Sequence, residues 1–104
     1  MTITRGTTPI FNVYIENDDG DLYLSEFAAE VTIKQGSTLI KRSYDAGDAG
    51  DHLRVALTQE ETLSLAHTRP AYMQVRLKNT GEMVKASELV TVTVLPAATE
   101  AVMI

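Results

Sequence analysis

The chain has 104 residues and a formal net charge of −5 at pH 7, with 44% hydrophobic and 22% charged residues. These values are typical of one folded domain and exclude a disordered or collagen-like chain. The chain contains no cysteine, which excludes disulfides, thiolate zinc sites, iron–sulfur clusters and a thiol nucleophile. The acidic balance disfavours a partner held by its phosphates, so we expect no nucleic acid.

The first part of the chain alternates apolar and polar residues as strands with one buried face do. Residues 11–15 predict a strand after Pro9, and Leu22 and Leu24 resume the alternation behind a turn at 17–20. The residues before this strand lack the apolar core of a signal peptide, and no apolar stretch approaches the roughly 20 residues of a membrane span. We therefore expect no signal peptide and no membrane partner.

The next segments predict a hairpin and a further strand. Residues 29–34 place their apolar side chains inward, the turn falls at 35–37, and the second strand of the hairpin covers 38–44. A loop of acidic and small residues at 45–51 precedes another alternating strand at 53–57.

The segment Thr58-Gln59-Glu60-Glu61 carries the one helical signal. The Thr58 side chain can cap the amide of Glu61 while the Glu61 carboxylate reaches back, which is the pattern of a capping box. We expect one or two helical turns ending near Leu65, with Leu63 and Leu65 filling the end of the core.

Two further strand regions complete the pattern. Pro70 separates the helix from a strand at 72–78, and a turn at 79–82 leads into a long β-branched region at 83–95. The apolar residues on either side of Ser87 are out of step with one another, which predicts a bulge or bend there.

About seven short strands with one short helical turn predict an all-β fold, an immunoglobulin-like antiparallel β-sandwich. A partly open β-barrel is the alternative, since alternation does not determine whether a sheet closes. The lack of a Cys pair and of Trp excludes a true antibody domain. We expect the sandwich to span residues 1–96, with a C-terminal tail at 97–104. The expected buried residues include Val31, Ile33, Val55, Val75 and Val92.

The residues capable of site chemistry are few. His52 and His67 lie fifteen positions apart without an associated nucleophile or ligand pair, so we nominate no catalytic or cofactor-binding residue. Asp45, Asp48 and Asp51 recur at every third position around glycines and are candidate calcium ligands. The segment lacks the twelve-residue loop that ends in a bidentate Glu, so we favour solvated turns and expect no metal or cofactor.

Two surface features could serve recognition. No basic residue occurs between Arg5 and Lys34, which predicts an acidic edge that is either simply solvated or docks to a basic partner. The six acids in this segment are Glu16, Asp18, Asp19, Asp21, Glu26 and Glu30. Tyr14 and Tyr72 fall on polar strand faces and could lie side by side as a platform for sugar. The β propensity of Tyr alone also favours it in strands.

Five segments carry a resemblance to a known family. They are Ile3–Pro9, Val31–Gly36, Leu57–Leu63, Val75–Leu77 and Ser87–Val92. In this order they resemble the N-terminal domain of baseplate upper proteins and their short stand-alone relatives in phages and prophages of Gram-positive bacteria. The resemblance implies an immunoglobulin-like sandwich that serves as an attachment module of the virion tail tip, with no catalytic residue.

We therefore expect a non-enzymatic structural module of a phage or prophage tail or baseplate. Its expected partners are other tail or baseplate proteins and, in a homo-oligomer, further copies of the chain. Val102, Met103 and Ile104, together with an N-terminal arm at Thr2–Thr8, are the expected interface. The expected location is the virion, or the bacterial cytoplasm before assembly. The alternative is a glycan-binding or host-surface-binding β-sandwich module.

Overall fold

The computed structural model describes residues 1–14, 16–17, 20–21, 27–46, 52–79, 84–87 and 89–98. The strands among these residues are β1 (Thr2–Thr4), β2 (Ile10–Val13), β3 (Glu16–Asn17), β4 (Gly20–Asp21), β5 (Phe27–Gln35), β6 (Thr38–Tyr44), β7 (Leu53–Ala56), β8 (Ala71–Asn79), β9 (Val84–Ala86) and β10 (Val90–Leu95). The helix α1 covers Gln59–Leu63. The predictions at Ile15, Leu22 and Leu24, and most of the turn predicted at 79–82, lie outside the described residues.

The strands form one large sheet and two small ladders. The large sheet has the order β1-β10-β8-β5-β6, and β9 also pairs with β8. Its pairings are antiparallel except that β1 runs parallel to β10. Strands β2 and β7 form a separate antiparallel pair, and β3 pairs with β4.

The core lies between the large sheet and the β2–β7 pair. The large sheet contributes alternate residues of its long strands, and Leu53, Val55 and Leu57 approach from the other side. Phe11 and Val13 of β2 pack against this cluster. The expected buried residues Val31, Ile33, Val55, Val75 and Val92 are all buried. The predicted all-β fold with one short helix is confirmed.

The corner between β6 and β7 is joined by side chains. In the described part of the chain these two strands share no ladder. Instead, the Tyr44 hydroxyl donates to the Arg54 carbonyl at 2.5 Å, and Arg42 Nη2 donates to the Ala56 carbonyl at 3.0 Å. The sheets therefore stay separate at this corner, as in a sandwich, with side chains in place of the backbone ladder that would close a barrel.

The N-terminal arm belongs to the fold. Ile3 is buried in the core, the Arg5 amide donates to the Leu95 carbonyl at 3.0 Å, and the Thr93 amide donates to the Met1 carbonyl at 2.8 Å. Thr2–Thr4 of the expected interface arm Thr2–Thr8 are the strand β1, at one edge of the large sheet, and the interface itself stays a prediction. A three-residue strand is too short for its alternation to be visible in the sequence.

The bulge predicted near Ser87 is present. The register pairs Ala86 with Arg76 and Val90 with Met73. The chain therefore advances four residues from β9 to β10 while β8 advances three, which leaves one extra residue opposite β8. The Ser87 amide donates to the Val75 carbonyl at 2.8 Å, and the Ser87 hydroxyl accepts from the Val75 amide at 3.0 Å. The serine side chain thus completes the ladder where the extra residue interrupts it.

The predicted capping box is also present. The Glu61 amide donates to Thr58 Oγ1 at 3.2 Å, and the Thr58 amide donates to Glu61 Oε1 at 2.9 Å. Leu65 fills the core as expected, whereas Leu63 is only partly buried. The buried residue of the helix is Thr62, whose hydroxyl donates to the carbonyls of Thr7 at 2.9 Å and Gln59 at 3.1 Å.

Candidate functional site

The outer face of the large sheet carries side chains in three ordered rows. Alternate residues of β5, β6 and β8 point away from the core, and the strand register places those of neighbouring strands side by side. The first row holds Tyr72, Lys34 and Leu39, the second holds Gln74, Thr32 and Lys41, and the third holds Arg76, Glu30 and Ser43. Successive rows are two residues, or about 7 Å, apart along each strand.

A groove of about 560 Å³ lies over these rows, and we call it the outer groove. Its lining combines basic, polar and apolar side chains from three strands, the β5–β6 turn and the segment before β10. The lining residues are Glu30, Thr32, Lys34, Gly36, Leu39, Lys41, Tyr72, Gln74, Arg76 and Leu89. A smaller depression of about 300 Å³ shares Glu30 and Arg76 with it and continues the face towards Lys78 and Asp45.

Glu30 lies between two cations in the outer groove. Lys41 Nζ lies 2.9 Å from Glu30 Oε2, and Arg76 donates to Glu30 Oε1 from Nη2 at 2.6 Å and from Nε at 3.2 Å. The hydrogen bond from Lys41, followed by that from Arg76, holds the pKa of the Glu30 carboxyl below its usual range. Glu30 is therefore ionised at neutral pH and ties three strands together.

The apolar part of the outer groove is exposed. Leu39 is 58% exposed, Leu89 63% and Tyr72 43%. Single exposed apolar residues are common on protein surfaces. These three line one groove, and Tyr72 and Leu39 lie in the same row, one on each side of Lys34. Grouped exposure of this kind is characteristic of an interaction surface.

Basic residues are concentrated on this face. Among the described residues whose side chains point outward from β5, β6 and β8, Lys34, Lys41, Arg76 and Lys78 are basic and Glu30 is the one acid. The chain as a whole has fourteen acids against nine basic residues. The outer face is therefore locally positive on an acidic protein.

The tyrosines are separated by the fold. Tyr72 lies in the outer groove, whereas Tyr14 follows β2 on the other layer and packs against His52, with ring centroids 5.3 Å apart. The prediction that Tyr14 and Tyr72 lie side by side is therefore wrong, because their strands belong to different sheets. His67 lines a third depression, of about 270 Å³, with Arg69 and Pro70.

The acidic edge predicted from the sequence also differs in the structure. Glu30 was expected to contribute to it, but its strand places the carboxylate on the basic outer face, paired with Lys41 and Arg76. Asp18, Asp19 and Glu26 lie outside the described residues, so the rest of this prediction stays open to experiment.

The candidate metal ligands and the expected tail interface fall largely outside the described residues. Asp45 is exposed at the end of β6. Asp48 and Asp51, and the interface residues Val102, Met103 and Ile104, are not among the described residues. Within the described ranges, no three His, Asp or Glu side chains come together as a metal site would require.

Sequence reasoning missed the outer groove as a unit. Alternation correctly puts Glu30, Thr32 and Lys34 on an outward face, as it does for the polar side of β8. It does not say that β5 lies between β6 and β8, nor which residues stand opposite one another. The pairing of β5 with β8 joins segments that are distant in the chain, as between Glu30 and Arg76, and only the hairpin of β5 and β6 is local.

Among the residues that the structure describes, no helix has the length and apolar character needed to cross a membrane. No protein-family model, curated protein or solved structure matches the chain.

Proposed function

We propose that this chain is a non-enzymatic module of a phage or prophage tail or baseplate that acts through protein–protein contacts, with the outer groove as its contact surface. The observation that supports a contact surface is the grouping of exposed Leu39, Leu89 and Tyr72 with several basic side chains on one open sheet face, while the tail or baseplate rests on the sequence resemblance alone. Such a combination of apolar anchors and charged surroundings is typical of protein interfaces.

The segments that resemble baseplate proteins have clear roles in the fold. Thr58 and Glu61 form the capping box, Ile3 enters the core, and Gly36 adopts a positive φ of 58° in the β5–β6 turn. Because these residues have structural roles, the resemblance supports a shared architecture and does not mark a contact surface. The location of that surface has to come from geometry.

The chemistry of the outer groove does not favour general-acid catalysis. Its carboxylate, Glu30, is held in its charged form by Lys41 and Arg76. A general acid needs the opposite, a carboxyl whose pKa is raised towards neutrality.

Co-purification with assembled particles tests the proposal. The tagged chain is produced with the proteins encoded beside it in its source genome, and tail or baseplate assemblies are separated by sedimentation. We expect the chain to sediment with them, and the double variant Leu39→Asp, Leu89→Asp to stay at the top of the gradient. Ile10→Asp is the matched control, because Ile10 is equally exposed but lies on the other layer. Failure of the unaltered chain to sediment with any assembly would contradict the proposal.

A glycan-binding or host-surface-binding module is the second candidate. One observation favours it: the ring of Tyr72 is exposed in the groove beside Gln74 and Thr32, which can hydrogen-bond to sugar hydroxyls. Binding on a glycan array that is lost in Tyr72→Ala would support this function. An array without signal would remove it.

A further inference from the structure

The outer groove has an apolar end and a cationic end. Tyr72 and Leu39 stand in the first row and Leu89 lines the same groove from the segment before β10, while Lys41 and Arg76 flank Glu30 in the rows beyond. From Tyr72 to Arg76 is four residues along β8, which corresponds to about 13 Å. A ligand that uses the whole groove must therefore present apolar and anionic groups at this separation.

The cations are more accessible to a ligand than the carboxylate that they share. The side chains of Lys41 and Arg76 are 49% and 54% exposed, whereas that of Glu30 is 22% exposed. Lys34 in the first row adds a third exposed cation. Because the groove is lined by three cations and one carboxylate, positive charge remains uncompensated there and favours an anionic ligand.

The leucines select among anionic ligands. Leu39 and Leu89 gain from binding only when the ligand covers them with apolar surface. The hydroxyls of a sugar or the phosphates of a nucleic acid would lose water against these side chains without a hydrogen-bond partner. A polypeptide can place an aliphatic or aromatic side chain on the leucines and carboxylates over the cations.

The row spacing matches an extended peptide. Side chains at positions i, i+2 and i+4 of an extended chain share one face and are about 7 Å apart, as the three rows are. An apolar residue over the first row therefore places the residues two and four positions away over Lys41 and Arg76.

We propose that the outer groove binds an extended acidic segment of a neighbouring protein, in which an aliphatic or aromatic residue is accompanied by carboxylates two and four positions away. This inference rests on the proposed function, because it names the kind of partner that the contact surface accepts. The apolar residue lies against Tyr72 and Leu39 in the first row, and the carboxylates meet Lys41 and Arg76. The ion pairs add specificity and weaken as salt rises.

Labelled peptides test this directly by fluorescence anisotropy. The probe is a decapeptide with one Phe and Glu at the second and fourth positions after it, made in both chain directions. The control has the same composition with Glu at the first and third positions, which puts the carboxylates on the opposite face. We expect the probe to bind about tenfold more tightly than the control in at least one direction, and to bind more weakly at high salt.

Charge-swapped proteins separate specific recognition from general attraction. Lys41→Glu should weaken probe binding about tenfold, while Arg54→Glu, the same charge change on the other layer, should leave it nearly unchanged. Binding of the Lys41→Glu protein should be regained with a probe that carries Lys in place of the Glu at the second position after Phe.

Two outcomes would overturn the inference. One is equal affinity for the probe and for the control peptide. The other is equal affinity for the probe and for a single-stranded oligonucleotide, which is anionic but has no aliphatic side chain. If the chain sediments with particles yet shows either outcome, the inference is lost and the proposed function stands. If the probe binds but the chain does not sediment with particles, the proposed function is lost and the peptide specificity of the groove stands.

Discussion

Gln35 is a polar side chain in an apolar position, and all of its polar atoms are used. It is buried at the end of β5, where it follows Ala29, Val31 and Ile33 on the inward face. Its Nε2 donates to the carbonyls of Ala66 at 2.8 Å and Arg69 at 2.9 Å, and its Oε1 accepts from the Ala66 amide at 2.6 Å. One side chain thereby anchors the loop that connects the helix to β8.

Replacement of Gln35 by Leu should destabilise the protein by about 3 kcal/mol, because it removes three part-buried hydrogen bonds to the backbone of Ala66 and Arg69. Urea unfolding measures the change in free energy. The control is Gln74→Leu, which removes a single exposed hydrogen bond to the Ser87 carbonyl and should cost less than about 1 kcal/mol. Equal losses in the two variants would contradict the anchoring role.

Gly36 supplies a backbone conformation that other residues rarely adopt. Its φ is 58°, and a Cβ at this position would lie 2.8 Å from the Arg69 guanidinium. The guanidinium is the end of a flexible side chain and can move, so the backbone conformation determines the cost. Gly36→Ala should lower the free energy of unfolding by about 1 kcal/mol, whereas Ser37→Ala in the same turn should be close to neutral. If Gly36→Ala left the free energy of unfolding unchanged, the turn would have adopted another backbone conformation without cost.

The short helix is held by its first turn. Glu61 belongs both to the capping box and to an ion pair with Arg42 of β6. A helix of five residues is far too short to be stable alone. Its contacts with the rest of the chain, including the ion pair with Arg42 and the hydrogen bond from Arg5 Nη2, just after β1, to the Leu63 carbonyl at 2.8 Å, therefore hold it in place.

The helix ion pair makes stability depend on pH. The hydrogen bond from Arg42 lowers the pKa of Glu61, and the same contact raises the pKa of Arg42. Because the folded-state pKa of Glu61 is below its unfolded value, the contribution to stability is complete above about pH 4.5 and disappears as the pH falls through the folded-state pKa.

Glu61→Gln should reduce the free energy of unfolding at neutral pH by about 1–2 kcal/mol, because the glutamine can keep the capping box but not the charge. The difference from the unaltered protein should shrink in strong acid, where Glu61 is protonated. Glu60→Gln removes the same charge from the same turn without an ion pair to Arg42 and serves as the control. If the difference in unfolding free energy between Glu61→Gln and the unaltered protein did not change with pH, the ionised Glu61 carboxylate would not be the source of the stability.

The two layers of the molecule are connected differently at opposite edges of the large sheet. At the β6 edge, Arg42 and Tyr44 donate to the carbonyls of Ala56 and Arg54, two residues apart on β7. Burial raises the pKa of Tyr44, so its hydroxyl remains a donor well into alkaline pH. At the other edge, β1 extends the sheet in parallel and brings Ile3 into the core.

Ile3→Ala should therefore cost about 3 kcal/mol of unfolding free energy, the usual loss for a buried aliphatic side chain. Ile10→Ala on the exposed side of β2 should cost less than about 1 kcal/mol. Chemical denaturation of both variants provides the comparison. If Ile3→Ala were as stable as the unaltered protein, β1 would not be a part of the core.

Several elements could be predicted because their signals are local. The alternation in 29–34 and 53–57, the capping box at Thr58 and the bulge at Ser87 all depend on residues within one segment. The same local view assigned Gln35 to a turn because of its polarity, although its position in the alternation puts it inside. It also overlooked β1, which is stabilised by a partner strand about ninety residues away in the chain.

The amino-acid order alone sets which side chains of each strand face inward and which face outward, because a pleated strand has a period of two whatever its neighbours are. The order of strands in the sheet depends on how all the apolar faces pack together, which is a property of the whole chain. Lys34, Leu39 and Tyr72 therefore become neighbours only once β5 lies between β6 and β8. The outer groove, and with it the proposed contact surface, is a product of that packing.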